Sequence, residues 1–387
     1  MEVFIVYLLA FIMLIVGTAA IYMPLIPIFP YTWLYRHYHI RKPFNWTVFL
    51  GLLAWIGYQT ASSNEFPLWA IPPLVIAVLA MVLTYKMHQD KAFPAVDFPE
   101  ITTNTANLPL DADMEMAVIE YEGVTKCYPL DYVVHHHIVN DRFNTKTVSL
   151  TYCAMCRSII PFDVTDIGPL FVGSFYNANM IVADRKTQTF FQQSTFQSLI
   201  GKLHPTELQM IPFQVLTWSE VKETIDQPQV VRVTEADFKA FELPIPGIWK
   251  KIMASERTPG LSKKKKDKTF PVRTRVIGIT DKSIHDSIVY LRKEVLKQGI
   301  VANNVHAFFL CASKKTVNAF SLVLDGRTLT VQLEDGFIVD STSGTKWNLL
   351  GKHVSGDIVL DLQPIAVSDE YWFAWKEFHP TTELIRV

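Results

Sequence analysis

Two cysteines separated by two residues, Cys153 and Cys156 in "TYCAMCRS", are the residues of this chain best suited to chemistry. Thiolates are soft metal ligands, nucleophiles and reversible electron carriers, so the pair admits several uses. As metal ligands, the two sulfurs would bind a transition metal (zinc, copper or iron), with a histidine or a further thiolate completing the set. The run "VVHHHIVND" just upstream supplies His135, His136 and His137, with Asp141 close behind. On a strand His135 and His137 point alike and His136 faces the other side, whereas a helix spreads all three around its surface. As a dithiol, the pair would cycle with a disulfide, a chemistry helped by a helix N-terminus at the first cysteine and by a cation such as Arg157. A covalent nucleophile, Cys153 or Cys156 with His136 as its base, is a third use. The fourth is packing alone, with two small side chains closing a tight turn. A lone C-x-x-C does not decide among these.

Other residues invite the same weighing. Asp184 and Arg185 follow a strand-like run and are candidates for a catalytic pair or for a turn clamp. Gln192 and Gln193 would hydrogen-bond backbone or a polar ligand. Cys127 precedes "YPL" and reads as core, and His379 sits in the aromatic "WKEFHP". No nucleophile elbow, phosphate loop, dinucleotide fingerprint or His-Glu-x-x-His motif is present.

The elements that must position these residues read as strands. "TVSLTYC" (147–153), "PLFVGSFY" (169–176), "NMIVADR" (179–185), "AFSLVLDG" (319–326) and "TLTVQLEDGFIVD" (328–340) are β-branched and aromatic runs punctuated by Gly, Asn and Asp. An internal repeat is visible. "HIVND", "SLTYCAMCRSIIPFD", "MIVADRKTQTF", "LIGK" and "LTWSEV" align with "GIVANN", "AFFLCASKKTVNAFS", "FIVDSTSGTKW", "LLGK" and "YWFAWKEF". This matches Cys153 with Cys311, Cys156 with Lys314, Asp184 with Asp340, Gly201 with Gly351 and Trp218 with Trp375. The expected organisation is a linker (93–116), a first β-rich repeat (117–223), a connector with the lysine-rich run "SKKKKDK" (224–273) and a second repeat (274–387). The fold class is α+β: a β-rich soluble region of two related halves.

About three transmembrane helices are expected ahead of it, in 1–92, at 3–22, 46–61 and 67–85. Arg36, Arg41 and Lys42 follow the first span, only Glu65 lies between the second and third, and Lys86 and Lys91 follow the third. This bias makes the chain an integral, multi-pass membrane protein with the β-rich region on the cytoplasmic side, where thiols stay reduced. The partners are then the lipid bilayer and a redox or small-molecule partner. A formal net charge of −1 gives no electrostatic case for nucleic acid. Four cysteines in 387 residues exclude a disulfide scaffold.

These stretches together resemble the DUF3179 family, a group with no established reaction, over roughly 115–387. The resemblance rests on "CYPLDYVVHHHIVND", "VSLTYCAMCRS", "NMIVADRKTQTFFQQ", "TWSE" and "YWFAWKEFHP". The family's Tyr-Pro-Leu and His-x-Ile-Val-Asn-Asp pattern falls on Tyr128, Pro129, Leu130, His136, Asn140 and Asp141. Its Tyr-Cys-Pro-Leu-Cys run falls on Tyr152, Cys153, Ala154, Met155 and Cys156, with Ala-Met in place of Pro-Leu. Its Asp-Arg pair falls on Asp184 and Arg185, its Ser-Gln on Gln192 and Gln193, and its Gly-Glu becomes Phe196 and Gln197, which removes a carboxylate. The resemblance implies that His136 is the histidine to pair with Cys153 and Cys156. The reading that follows is a metal or thiol site at Cys153, Cys156 and His136 with a redox role, Asp184 and Arg185 assisting. Its rival is a binding or assembly protein in which the C-x-x-C is a structural turn.

Overall fold

The computed structural model describes residues 2–242, 255–256, 258–261, 267–281, 284 and 287–387. Three helices come first: α1 (Glu2–Tyr22), α2 (Tyr31–Ser63) and α3 (Ile71–Lys86). α1 and α3 approach closely through small residues, Ala10 and Gly17 against Ala77 and Ala80. A Cβ on Gly17 would lie 2.8 Å from the Ala80 carbonyl, so glycine is required there. Asn45 of α2 is buried between them and donates to the Met13 carbonyl (3.0 Å) and to Thr84 Oγ1 (2.6 Å). Two stretches, Glu2–Leu25 and Leu68–Lys86, are long and apolar enough to cross a membrane by length and composition.

The segment 46–61 is not a separate element. It is the second part of α2, a single 33-residue helix whose first part carries Arg36, Arg41 and Lys42, so those residues do not form a loop. The buried positions of α2 are Leu34, Arg41, Asn45, Leu52 and Ile56, a continuous stripe at helical spacing. Two of the five are polar, which hides the stripe from a hydropathy reading. Arg41 is accommodated by its own helix, with the guanidinium bonded to the Tyr38 carbonyl and 4.5 Å from the Tyr38 ring centre.

After the helices, one topology occurs twice. In the first half a sheet orders Gln214–Thr217, Glu115–Tyr121, Val124–Pro129, Gln229–Val231 and Ile101–Thr102. In the second half Val367–Tyr371, Arg275–Ile279, Ile288–Leu291 and Glu383–Ile385 follow the same order, with the same antiparallel and parallel pairings. Each half adds two larger, mainly antiparallel sheets, and the second also pairs Val323–Leu324 with Arg327–Thr328. In the first these are built on Ile138–Phe143, Lys146–Cys153 and Ser158–Asp163, and on Leu170–Tyr176, Asn179–Asp184, Phe190–Gln192 and Ser198–Ile200. Their counterparts are Ile300–Asn303, Phe308–Ala312 and Val317–Ser321, and Val331–Glu334, Phe337–Asp340, Lys346–Trp347 and His353–Ser355.

Hydrogen-bond register corrects the residue matches within the repeat. Tyr152 N–H donates to the His137 carbonyl just as Ala312 N–H donates to Gly299. Thr151 pairs with Ile138 as Cys311 pairs with Ile300, so Cys311 occupies the place of Thr151, not of Cys153. The following turn uses residues 153–158 in the first half and only 313–316 in the second, so the second half has no place for Cys156. Gly201 presses on Thr189 as Gly356, not Gly351, presses on Thr345. Trp218 and Trp372 both open a helix, which moves the match for Trp218 from Trp375 to Trp372. Asp184 and Asp340 do correspond, each ending its strand.

The expected linker and connector are partly built into the sheets. Val96–Asp97 runs parallel to Ile138–Phe143, and Ile101–Thr102 pairs with Gln229–Val231. Residues 262–266 of the lysine-rich run lie outside the described residues. The helices rest on the first half: Ala19, Met23, Leu34, Tyr35 and Tyr38 pack against Phe171, Ile181, Ala183 and Phe190. The equivalent face of the second half carries Gln332, Phe337, Val339 and Lys346, with Gln332 exposed and Lys346 half-buried. Two of these four positions are thus polar where the first half has Phe171 and Phe190.

A buried cysteine pair as the candidate functional site

The strand Lys146–Cys153 ends where Cys153 pairs with Ser158 across the hairpin. Arg157 closes the turn by donating from its N–H to the Cys153 carbonyl at 2.7 Å, with its backbone at φ +63°. The Sγ atoms of Cys153 and Cys156 lie 3.3 Å apart as free thiols, and neither is exposed to solvent.

The two sulfurs have opposite environments. Burial disfavours ionisation of Cys153, but hydrogen bonds from the Cys156 thiol and from the backbone at Cys156, Met180 and Met155 outweigh it and hold this thiol below its ordinary value. Burial and the neighbouring Cys153 push Cys156 well above its ordinary value. Cys156 Sγ also lies 3.1 Å from the Ala178 carbonyl, an alternative acceptor for its one proton. Of the two, Cys153 is therefore the sulfur that ionises more readily.

Polar side chains surround the sulfurs. Asn179 Nδ2 donates to Cys156 Sγ and to Gln193 Oε1, both at 3.3 Å. Ser158 Oγ donates to Gln193 Oε1 at 2.9 Å, and Gln193 Nε2 donates to Thr151 Oγ1 at 2.9 Å. Gln192 Nε2 reaches Asn179 Oδ1 at 2.5 Å. All of these residues are buried. An aliphatic core would cost less, because each buried amide is tolerated only while its partners remain in place.

The second half closes the site. Tyr371 N–H donates to the Cys156 carbonyl at 2.9 Å, and Phe373 and Ala374 pack into the cluster that contains both cysteines. The residue before Tyr371 is Glu370, 3 % exposed, and its Oε2 has no hydrogen-bond partner. Burial, followed by the charges at Cys153 and Asp369, raises its carboxyl to about 8. Sequence reasoning missed Glu370. With the helix-opening Trp218 and Trp372 aligned, Glu370 falls opposite Leu216, and an acid in place of a buried leucine is the signal that was available.

The other predicted residues lie elsewhere. His136 ends a short helix (Leu130–His136), and its Nδ1 is 3.1 Å from the Pro94 carbonyl. Among the described residues no three His, Cys, Asp or Glu side chains gather in a way that could hold a metal ion, so His136 does not complete a three-ligand set with the cysteines. His137 is buried against the Phe93 ring at 4.0 Å, at a left-handed position (φ +61°) that the second half fills with Gly299. Asp141 accepts from Lys126 Nζ (2.9 Å) and the Tyr128 hydroxyl (2.6 Å). Asp184 clamps its own turn, accepting from Thr187 Oγ1 (2.7 Å) and Thr189 N–H (2.8 Å). Arg185 pairs with Asp97 at 2.9 Å in a half-open position. Cys127 and Cys311 are buried thiols that burial raises to about 12. His379 stacks on Trp375, and burial lowers it to about 4. A crevice of about 30 Å³ between the halves is lined by Glu115, Tyr152, Arg157, Asn318, Val367 and Asp369. It takes in the neighbours of Cys153 and Glu370 along their strands, whose side chains point the opposite way.

The chain belongs to the DUF3179 family, described as proteins of unknown function, whose model matches residues 90–382. No curated protein and no solved structure matches it.

Proposed function

We propose that this protein is a membrane-anchored dithiol–disulfide couple in which Cys153 attacks and Cys156 resolves. The observation that carries the reading is the opposite bias of two sulfurs 3.3 Å apart. The Cys153 thiolate attacks one sulfur of a partner disulfide, forming a mixed disulfide and releasing one partner thiolate. Cys156 then loses its proton and attacks Cys153 Sγ, closing the intramolecular disulfide and releasing the second partner thiolate. Two electrons pass from the pair to the partner.

On this reading α1, α2 and α3 all sit in lipid. The N-terminal part of α2 and the C-terminal end of α1 meet the first β-rich half, so Arg36, Arg41 and Lys42 lie toward that side, as do Lys86 and Lys91 at and beyond the end of α3. Glu2 and Glu65 lie toward the other. That charge bias supports a cytoplasmic β-rich region.

Full burial of both sulfurs favours a second reading, a structural turn without chemistry. The two separate on full-length protein in detergent treated with oxidised glutathione, acid-quenched and analysed by mass spectrometry. We expect a Cys153–Cys156 disulfide reversed by dithiothreitol, no product at this pair in Cys153→Ser, and a trapped mixed disulfide in Cys156→Ser. Thiols that resist oxidation and are alkylated only after denaturation would establish the structural turn. Elemental analysis of the same preparations extends the test to zinc, copper and iron: stoichiometric metal lost in the folded Cys153→Ser, Cys156→Ser protein would replace the dithiol reading with a metal site.

A further inference from the structure

We infer that Glu370, delivered by the second half, is the proton acceptor for Cys156 when the Cys153–Cys156 disulfide closes. The inference rests on the dithiol reading above and gives the second half a part in the reaction. Three observations carry it. The hydrogen bond from Tyr371 N–H to the Cys156 carbonyl fixes the strand bearing Glu370 against the cysteine turn. Glu370, next to Tyr371 on that strand, is buried with Oε2 unpartnered, and its charge and those of the sulfurs disfavour one another. The same sheet position in the first half holds Leu216, fully buried in an apolar cluster, so the fold itself does not need an acid there.

An unpartnered carboxyl oxygen in a protein interior is expensive, and a catalytic role is one way such a group is accounted for. Cys153 and Cys156 approach from the first half, and Asp369 and Ser368 precede Glu370 on its own strand. Arg273, ahead of the neighbouring strand, acts on Cys156. Its half-buried guanidinium lies 5.4 Å from the Tyr371 ring centre.

The proton balance is closed. The first attack consumes the Cys153 thiolate, whose charge helps hold Glu370 in its acid form, and the partner thiolate it frees takes the Glu370 proton, leaving the carboxylate. The Glu370 carboxylate then takes the Cys156 proton as Cys156 Sγ bonds to Cys153 Sγ and the second partner thiolate leaves. Glu370 ends protonated and returns the proton to a leaving thiolate or to water. In the reverse direction the carboxylic acid protonates Cys156 as the disulfide is reduced.

The test uses full-length protein in detergent, with oxidised glutathione as the probe and quenched mass spectrometry to resolve mixed from intramolecular disulfide over time. Glu370→Gln keeps the shape and removes the base. We expect the mixed disulfide to form at the wild-type rate and to close about a hundredfold more slowly, a typical contribution of one acid–base group. Glu370→Asp, which restores a carboxylate at shorter reach, should recover part of that rate. Unchanged closing in Glu370→Gln overturns the inference while leaving the dithiol reading intact. Failure of the wild type to form the disulfide at all removes both. Should Glu370→Gln not fold, Glu370→Leu, which copies the residue of the first half, takes its place, with normal closing again the overturning result.

Discussion

The two halves fold to one plan and fill it in opposite ways. In the first, the hairpin after Lys146–Cys153 is long enough to hold Cys153 and Cys156, and the interior below it is lined by Thr151, Ser158, Asn179 and Gln193. In the second, the matching hairpin is shorter, Cys311 stands for Thr151 and Leu349 for Gln193, and both lie in an apolar cluster with Phe309, Phe320 and Trp347. The outer faces reverse the contrast in part, apolar and helix-covered in the first half, with Gln332 and Lys346 in place of Phe171 and Phe190 in the second. Thr316 stays polar and buried in the place of Ser158, but the topology is stable with Leu349 in the place of Gln193, so that amide is an addition to the fold. The acid Glu370 is the converse case, a polar group placed in the second half at the point where it meets the first.

The contrast extends to packing, where the largest effect is expected. Sheet register sets Gly278 in the place of Val118, and helix position sets Trp375 in the place of Val221. One half fills the space with two valines and the other with a glycine under an indole. A Cβ on Gly278 would lie 2.1 Å from the Trp375 ring, so Gly278→Val should cost at least about 3 kcal/mol. Trp375→Val alone should cost about 3–5 kcal/mol by leaving a cavity. The double variant restores the first half's solution, and its cost should fall short of the sum by about 1–3 kcal/mol. Urea unfolding of the full chain in detergent, followed by circular dichroism, measures this. Strict additivity would show that the halves do not share one packing scheme.

How much of this was legible follows from what kind of information each feature carries. Strands such as Lys146–Cys153 and Asn179–Asp184 show in the sequence because alternation and turn residues are local signals. The repeat is legible too, but its register is not, since "LIGK" and "LLGK" look alike while Gly201 and Gly356 do the same work against Thr189 and Thr345. Hydropathy shows only part of α2, because its buried stripe includes Arg41 and Asn45, which read as breaks. The Cys153–Cys156 pair needs no structure to be noticed. Glu370, more than two hundred positions away, becomes visible only when hydrogen bonding brings its strand to the cysteine turn.

A feature that both halves retain should respond alike in both. Asp340 accepts from Ser343 N–H (2.9 Å), Ser343 Oγ (2.7 Å) and Thr330 N–H (2.7 Å), repeating the clamp of Asp184. Asp340→Ala should cost about 2–3 kcal/mol, since its partners lose hydrogen bonds to a charged group, and Asp184→Ala should cost a similar amount. Burial opposes ionisation of Asp340, but these bonds prevail and lower its carboxyl below the ordinary range. A folded-state value below the unfolded one gives stabilisation that is complete above the unfolded value, about 4, and is lost as pH falls through the folded value. Wild type should therefore lose stability toward acid more steeply than Asp340→Asn. Parallel acid limbs in the two proteins would remove Asp340 from this role.

The smallest expected effect on stability, and the one that most sharpens the contrast, belongs to Gln193. Its amide accepts from Ser158 Oγ and Asn179 Nδ2 and donates to Thr151 Oγ1. Gln193→Leu installs the residue of the second half and leaves Ser158 and Asn179 without that acceptor, for an expected loss of about 1–2 kcal/mol in urea unfolding. Were stability the only role of this network, the consequence would end there. Asn179, however, also donates to Cys156 Sγ, a bond that eases ionisation of that thiol. An Asn179 released from Gln193 is held less firmly in that position, so Gln193→Leu should also slow closing of the Cys153–Cys156 disulfide under oxidised glutathione. The stability loss without a change in closing rate would assign the amides to packing around an inert turn. Loss of both would tie the polar interior of the first half to its sulfurs, and the apolar interior of the second to their absence.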